Sequence, residues 1–401
     1  MIDRFHRRSV LRIGVTAGTL AIAGCTGGDD VDSTDETDEQ NTDSSEDDEQ
    51  EDEVSLPITG KEVPELAVFD ETMLEYMDDL EIAAGDLGVA KDGDLVFERG
   101  YGWADPDRTE PVEPDALFRI GSISKPITDA AIHRLVEDGD LTLEEHVSPL
   151  LEVEPPNGEP ADERFEDVRV EHLLEHEGGW DQTIAGDPMF EQAEIAEALE
   201  LEEPPDKYDI TRYMLDQPMQ FDPGERSVYS NVGYSLLGQV IEGVTGMEYQ
   251  AFLEAELFGP ESIDGIELGR TRPENRPAAE VWYDDPETCP DVFDLESGEE
   301  GPCADVGNVI EAFDAAGGHV SSTASLLAYL DAYWLSGEPR DDTAVEFAFF
   351  GSHPGSFSLA RQYPDGVDVV AMFNRRHPMI DPSAQIEPML EDAIAELEEW
   401  P

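Results

Sequence analysis

Beyond about residue 56 the apolar positions fall into recognisable periods. Leu66, Phe69, Met73, Met77 and Leu80 recur at three- and four-residue spacing, which predicts an amphipathic helix over 66–82. Two short apolar runs, 87–90 and 94–97, flank Asp92-Gly93, a strong signal for a two-residue hairpin. Gly100-Tyr101-Gly102-Trp103 carries the second of these strands into a turn. Phe118-Arg119-Ile120-Gly121 reads as a short strand, followed by a helix bearing Ile127, Ala130, Ala131 and Leu135 and closed by Asp138-Gly139. A mostly helical and irregular stretch then extends to about residue 310. Residues 321–334 predict a further helix, 357–362 and 367–373 two strands around Pro364-Asp365-Gly366, and 386–400 a last amphipathic helix. Strands at both chain ends with helices between them predict an α/β (α+β) fold. An antiparallel sheet is built from both termini and flanked by helices, with a mostly helical insertion region beside it.

The first 56 residues have a different texture. Arg7-Arg8-Ser9-Val10-Leu11 is a twin-arginine start, 13–23 is apolar, and Ile22-Ala23-Gly24-Cys25 resembles a lipobox. The apolar run is short for a membrane-spanning helix. The expected organisation is a lipoprotein signal over 1–25, with Cys25 as lipid anchor holding the protein to the extracellular face of the cell membrane; an ordinary signal peptide or a retained anchor helix is the alternative. Residues 26–56 are almost wholly polar and acidic, so they cannot bury enough surface to offset chain entropy and predict a disordered tether. The folded domain is expected over 57–401.

Charge narrows the possible partners. The chain carries 96 Asp and Glu against 23 Lys and Arg, a formal net charge of −73. Nucleic acid is excluded as a partner, because phosphate binding needs basic stripes. Self-repulsion of this size strains a compact state in dilute buffer, whereas in molar salt a Debye length of about 3 Å screens it. The scarcity of lysine (Lys61, Lys91, Lys125 and Lys207) resembles proteins of extreme halophiles. Cys289 and Cys303 share a loop rich in Pro, Gly and acidic residues. Outside the cell they can pair, which would contribute roughly 3 kcal/mol in a chain-entropy account, or they remain free thiols. No His/Cys cluster has zinc spacing, and no metal or cofactor is expected.

Candidate chemistry begins at Gly121-Ser122-Ile123-Ser124-Lys125, where a strand enters a helix. Positions three apart share a helix face, so the Ser122 hydroxyl and the Lys125 amine can meet. A serine needs such a base to become a nucleophile, and burial can lower the pKa of a lysine enough to make it one. The pattern is the Ser-x-x-Lys of β-lactamases and penicillin-binding proteins. Tyr229-Ser230-Asn231 is the second element: a tyrosine near a cation can relay a proton, and an asparagine can orient both a lysine and a substrate amide.

Together with 85–105, 117–150, 170–180, 220–246 and 317–333, these motifs resemble the class C β-lactamase-related serine hydrolases. The final Trp400 is similar to one branch of that family. The resemblance implies that Ser122 is acylated, that Lys125 helps deprotonate it, and that Tyr229 and Asn231 complete the proton network. It also implies an oxyanion hole made by the backbone N–H groups of Ser122 and Ser352. The third family element, Lys-Thr-Gly or His-x-Gly on a strand lining the site, is replaced here by Phe349-Phe350-Gly351. The missing cation points away from β-lactams and peptide carboxylates. Phe349, Phe350, Gly351 and Trp180 are expected to line the cleft, with His353 as a candidate replacement cation. His172, His176 and His319 are read as structural, despite the four-residue spacing of the first two. The expected substrate is a small-molecule ester or amide. The alternatives are a weakly active or inactive surface-binding lipoprotein, for which Phe349 and the short 334–349 connection speak, and a D-amino-acid peptidase. The sequence leaves the oligomeric state open.

Overall fold

The computed structural model describes residues 56–341, 343–377 and 381–401, so the expected signal, Cys25 and all but the last residue of the tether lie outside the described residues. Among the described residues ten strands occur in chain order: β1 (Ala84–Lys91), β2 (Asp94–Gly102), β3 (Phe118–Arg119), β4 (Ile266–Leu268), β5 (Thr288–Pro290), β6 (Glu300–Pro302), β7 (His319–Ser321), β8 (Phe347–His353), β9 (Ser356–Gln362) and β10 (Val367–Phe373). The main sheet has the order β2-β1-β10-β9-β8. Every pairing in it is antiparallel, and β10 lies between β1 and β9, so the two chain ends are joined at its centre.

Strand periodicity sorts the side chains between two cores. Val369, Ala371 and Phe373 face one side, with Leu87, Val89, Phe97 and Leu359. They are covered there by Phe69, Met73 and Met77 of the Ala67–Asp79 helix and by Ile386 and Leu390 of the Ser383–Glu396 helix. Val370 and Met372 face the other side and join the larger core beneath the helical region. Each fully buried Leu, Met or Phe contributes about 1.5–3 kcal/mol, so a one-residue register slip would invert both faces at great cost.

The structure refines several boundaries. The last helix begins at Ser383 and ends at Glu396, where Leu397 turns to extended backbone, and Trp400 lies against Phe69 with ring centroids 6.5 Å apart. The helix expected from residue 321 begins at Thr323, because the Ser322 hydroxyl caps it by accepting the Ser325 N–H, and His319–Ser321 belongs to a strand. That strand is the centre of a small sheet, β3-β7-β4, of which only β3 is signalled by the sequence. Its strands are two or three residues long, too short to show a period. Cys289 and Cys303 are disulfide-bonded across the β5–β6 pair. Among the described residues no helix is long and apolar enough to cross a membrane.

Candidate active site

The site lies where β3 leads into helical backbone. A 3-10 turn, Gly121–Ile123, precedes the Ser124–Asp138 helix and carries Ser122 at its centre. The edge strand β8 packs directly on this turn. Gly351 on β8 has no alternative residue: a Cβ there would lie 1.8 Å from the Ile120 carbonyl oxygen. Gly121 is equally constrained, with φ +51° and space for a Cβ only 2.5 Å from the Ser352 nitrogen. These two glycines bring the Ser352 backbone amide against the nucleophile turn, the proximity an oxyanion hole shared by the Ser122 and Ser352 amides requires.

Four residues named from sequence converge here. Lys125 is fully buried, and its Nζ lies 3.2 Å from Ser122 Oγ. It donates to Asn231 Oδ1 at 2.7 Å and also to the Ala316 carbonyl. Tyr229 OH is 2.6 Å from Ser122 Oγ. The Asn231–Thr245 helix supplies Asn231 at its first turn, capped by the Ser230 hydroxyl, which accepts the Gly233 N–H.

Electrostatics assign the protons. Burial pulls the Lys125 pKa down to about 7, despite the opposing charges of Asp187 and Asp129. Carbonyl oxygens only accept, so Asn231 Oδ1 and Ala316 O take two amine hydrogens. In the neutral amine the lone pair is then left for the Ser122 hydroxyl. Burial raises the Tyr229 pKa, although its bond to Ser122 opposes the shift, so the phenol is neutral near pH 7 and can pass a proton rather than act as a standing anion. The tyrosine is wedged in place by His176, whose ring lies 4.7 Å from it and 5.1 Å from Tyr234.

Several expectations are corrected. His353 supplies no cation: it is buried, its Nε2 sits 2.8 Å from the Gly317 carbonyl, and burial, with Arg119 nearby, pulls its pKa to about 3. Phe350 does not share the face of Phe349, because strand alternation turns it to the opposite side, stacked on Phe357 at 6.4 Å. Phe349 is half-buried against the core on the helical side. Trp180 is buried with its ring 6.4 Å from Phe165, beside a small cavity lined by Phe165, Met214 and Met219. His172 and His176 each accept a backbone N–H through Nδ1, from Arg169 and Ser230 respectively. His319 is buried beside Tyr249. Among the described residues no group of three or more His, Cys, Asp or Glu is arranged to hold a metal.

Two features escaped the sequence. Asp187, buried, accepts the Asn231 Nδ2–H at 2.6 Å. Phe190, partly exposed, packs on Phe313 and His353 with centroids 4.8 and 5.8 Å away. Neither stands in a motif, and one aspartate among so many acids carries no local signal.

The chain is 30% identical over 200 residues to Esterase EstB of Burkholderia gladioli, covering 48% of each protein. It is 27% identical over 197 residues to a penicillin-binding protein of Bacillus subtilis (strain 168), covering 48% of this chain and 40% of that one. The matches thus span about half the length, or less, of these curated relatives. Among solved structures, a class C beta-lactamase superposes with a TM-score of 0.61 at 17% identity, covering 84% of this chain and 97% of that one. The octameric penicillin-binding protein homologue from Pyrococcus abyssi gives 0.60 at 20% identity, with 82% and 78% covered. Both share the fold, an antiparallel sheet with flanking helices. The beta-lactamase family profile matches residues 69–370, three quarters of the chain, and the chain therefore belongs to the beta-lactamase family.

Proposed function

We propose that this chain is a serine hydrolase that cleaves an ester or small amide through an acyl-enzyme. One observation carries the reading: a buried lysine, hydrogen-bonded to an amide oxygen and a backbone carbonyl, lies 3.2 Å from Ser122 Oγ. Ser122 Oγ attacks the carbonyl carbon while its proton passes to Lys125 Nζ. The tetrahedral oxyanion is held by the backbone N–H groups of Ser122 and Ser352. Tyr229 gives its proton to the leaving alcohol or amine, and the proton that Lys125 took from Ser122 restores the phenol. Water then attacks the acyl carbon, loses its proton to the same pair, and releases the acid with the serine restored.

Phe349 stands where relatives carry Lys or His, and His353 stays neutral, so no charge at that place holds a substrate carboxylate. This supports esters over β-lactams and D-alanyl peptides, and the likeness to an esterase adds to it. The same Phe349, with the short 334–349 connection, favours a surface-binding protein without turnover. The twin-arginine run, the lipobox at Cys25 and the charge of −73 support export, lipid anchoring and a salt-rich setting.

The test uses the folded chain in molar salt with p-nitrophenyl butyrate, D-alanyl-D-alanine peptide and a chromogenic β-lactam. Expected are ester hydrolysis above the other two and, on acid quenching, a butyryl adduct on Ser122 that is absent from Ser122→Ala. No adduct and no release above the Ser122→Ala background would leave the binding protein as the reading.

A further inference from the structure

The neutral cage of Lys125 works only if Asn231 presents its oxygen, and not its NH2, to the amine. Nothing in the Tyr-x-Asn motif dictates that choice, since an asparagine amide offers either end. The structure supplies the selector. Asp187 Oδ2 accepts from Asn231 Nδ2 at 2.6 Å, and Asp187 Oδ1 accepts the Met189 N–H at 3.2 Å. Burial raises the Asp187 pKa, while the bonds from Asn231 and Met189 and the charge of Lys125 oppose that shift; as a carboxylate it only accepts, so it demands the NH2 end of the amide and leaves Oδ1 to Lys125. The loop that carries Asp187 is fastened three residues later, where Phe190 packs on Phe313 and His353.

We propose that Asp187 is a positioning residue: it fixes the Asn231 amide and, through it, points the Lys125 lone pair at Ser122. The assignment rests on the hydrolase reading for Ser122 and Lys125. It has an electrostatic side as well. Lys125 is faced by Asp129 from its own helix, by His176, Tyr229 and Tyr234 from the packed helical region, by His353 from β8, and by Asp187 from the loop. The histidines are neutral and the phenols protonated, so Asp187 and Asp129 are the two charges that sustain the proton affinity of the amine. Asp129 also accepts the Tyr234 hydroxyl at 2.9 Å, whereas Asp187 bonds the Asn231 amide directly.

The chain has four lysines, so 13Cε-lysine labelling of the whole folded protein gives few NMR signals, and Lys125→Arg assigns the relevant one. In Asp187→Asn, which keeps the size and an acceptor but removes the charge, the Lys125 titration midpoint is expected to fall by roughly 0.5–1 unit. The acidic limb of ester hydrolysis should move to lower pH by the same amount. Asp187→Ala, which frees the amide, should lower kcat about 10–100-fold with KM changed by less than about twofold, and Asp187→Asn should recover part of that loss. A Lys125 midpoint unmoved in Asp187→Asn, or kcat of Asp187→Ala within about twofold of the parent, overturns the assignment. If Asp187→Ala does not fold, the isosteric Asp187→Asn titration decides. If the parent shows no turnover, the hydrolase reading fails by itself, and the lysine titration still decides whether Asp187 sets the amine.

Discussion

Two lysines are buried in this protein, and their surroundings give them opposite character. Lys207 donates to Glu242 at 2.7 Å and to Asp314 at 2.6 Å. Burial alone would lower its pKa, but the two carboxylates outweigh that and hold it above the usual lysine value. The hydrogen-bond partners of Lys125 are instead an amide oxygen, a backbone carbonyl and a hydroxyl, and it falls to about 7. The first is a permanent cation that ties two segments together, and the second is a base. The two are connected, because Asp314 opens the turn whose Ala316 carbonyl receives Lys125. An anionic cage thus secures the backbone that forms the neutral one.

The comparison can be broken most severely by making Lys125 a fixed cation. Lys125→Arg should lower kcat/KM for an ester about 10²–10⁴-fold, read from initial rates with folding checked by circular dichroism. Next, Lys207→Met leaves Glu242 and Asp314 buried without their partner. It should destabilise by about 3–5 kcal/mol, seen as a lower urea midpoint at high salt. The Lys207 contribution is present throughout neutral pH, since a raised folded-state pKa loses its benefit only in strongly alkaline solution.

Asn231→Asp sharpens the contrast by giving Lys125 the kind of neighbour Lys207 has. The acidic limb of the pH–rate profile should rise by about 1–2 units, with a matching loss of rate near neutrality and recovery at higher pH. A smaller effect is expected at Asp86, a carboxyl buried in β1 whose pKa is raised by burial, with only the Thr323 hydroxyl lowering it. The unfolded chain ionises there from about pH 4 while the folded one stays protonated, so Asp86 erodes stability as pH rises. Asp86→Asn should stabilise by about 1–2 kcal/mol at neutral pH and flatten that slope relative to the parent, measured by urea unfolding across pH.

The parts legible in the sequence are those set by local spacing. The Asp92-Gly93 hairpin, the terminal helices and the Ser122–Lys125 step each depend on neighbours within a few positions. Tyr229 and Asn231 were found because their motif is local too. What stayed hidden depends on chain segments far apart. Asp187 meets Asn231 across 44 positions, and the carbonyl that completes the lysine cage lies 191 positions from Lys125. A backbone oxygen has no residue type to betray it. Phe350 faces away from Phe349 because alternate strand residues point opposite ways, which a contiguous motif does not show.

Catalysis at this site depends on an uncharged Lys125 drawing the proton from Ser122. The most direct measurement is the rate of Ser122 labelling by a fluorophosphonate in molar salt across pH 5–10, followed by intact mass. The rate should rise with pH through about 7 and then level off, and in Lys125→Arg it should be slow at every pH. A parent protein whose labelling is flat over that range, or climbs only near the ordinary lysine value of about 10.4, would contradict it.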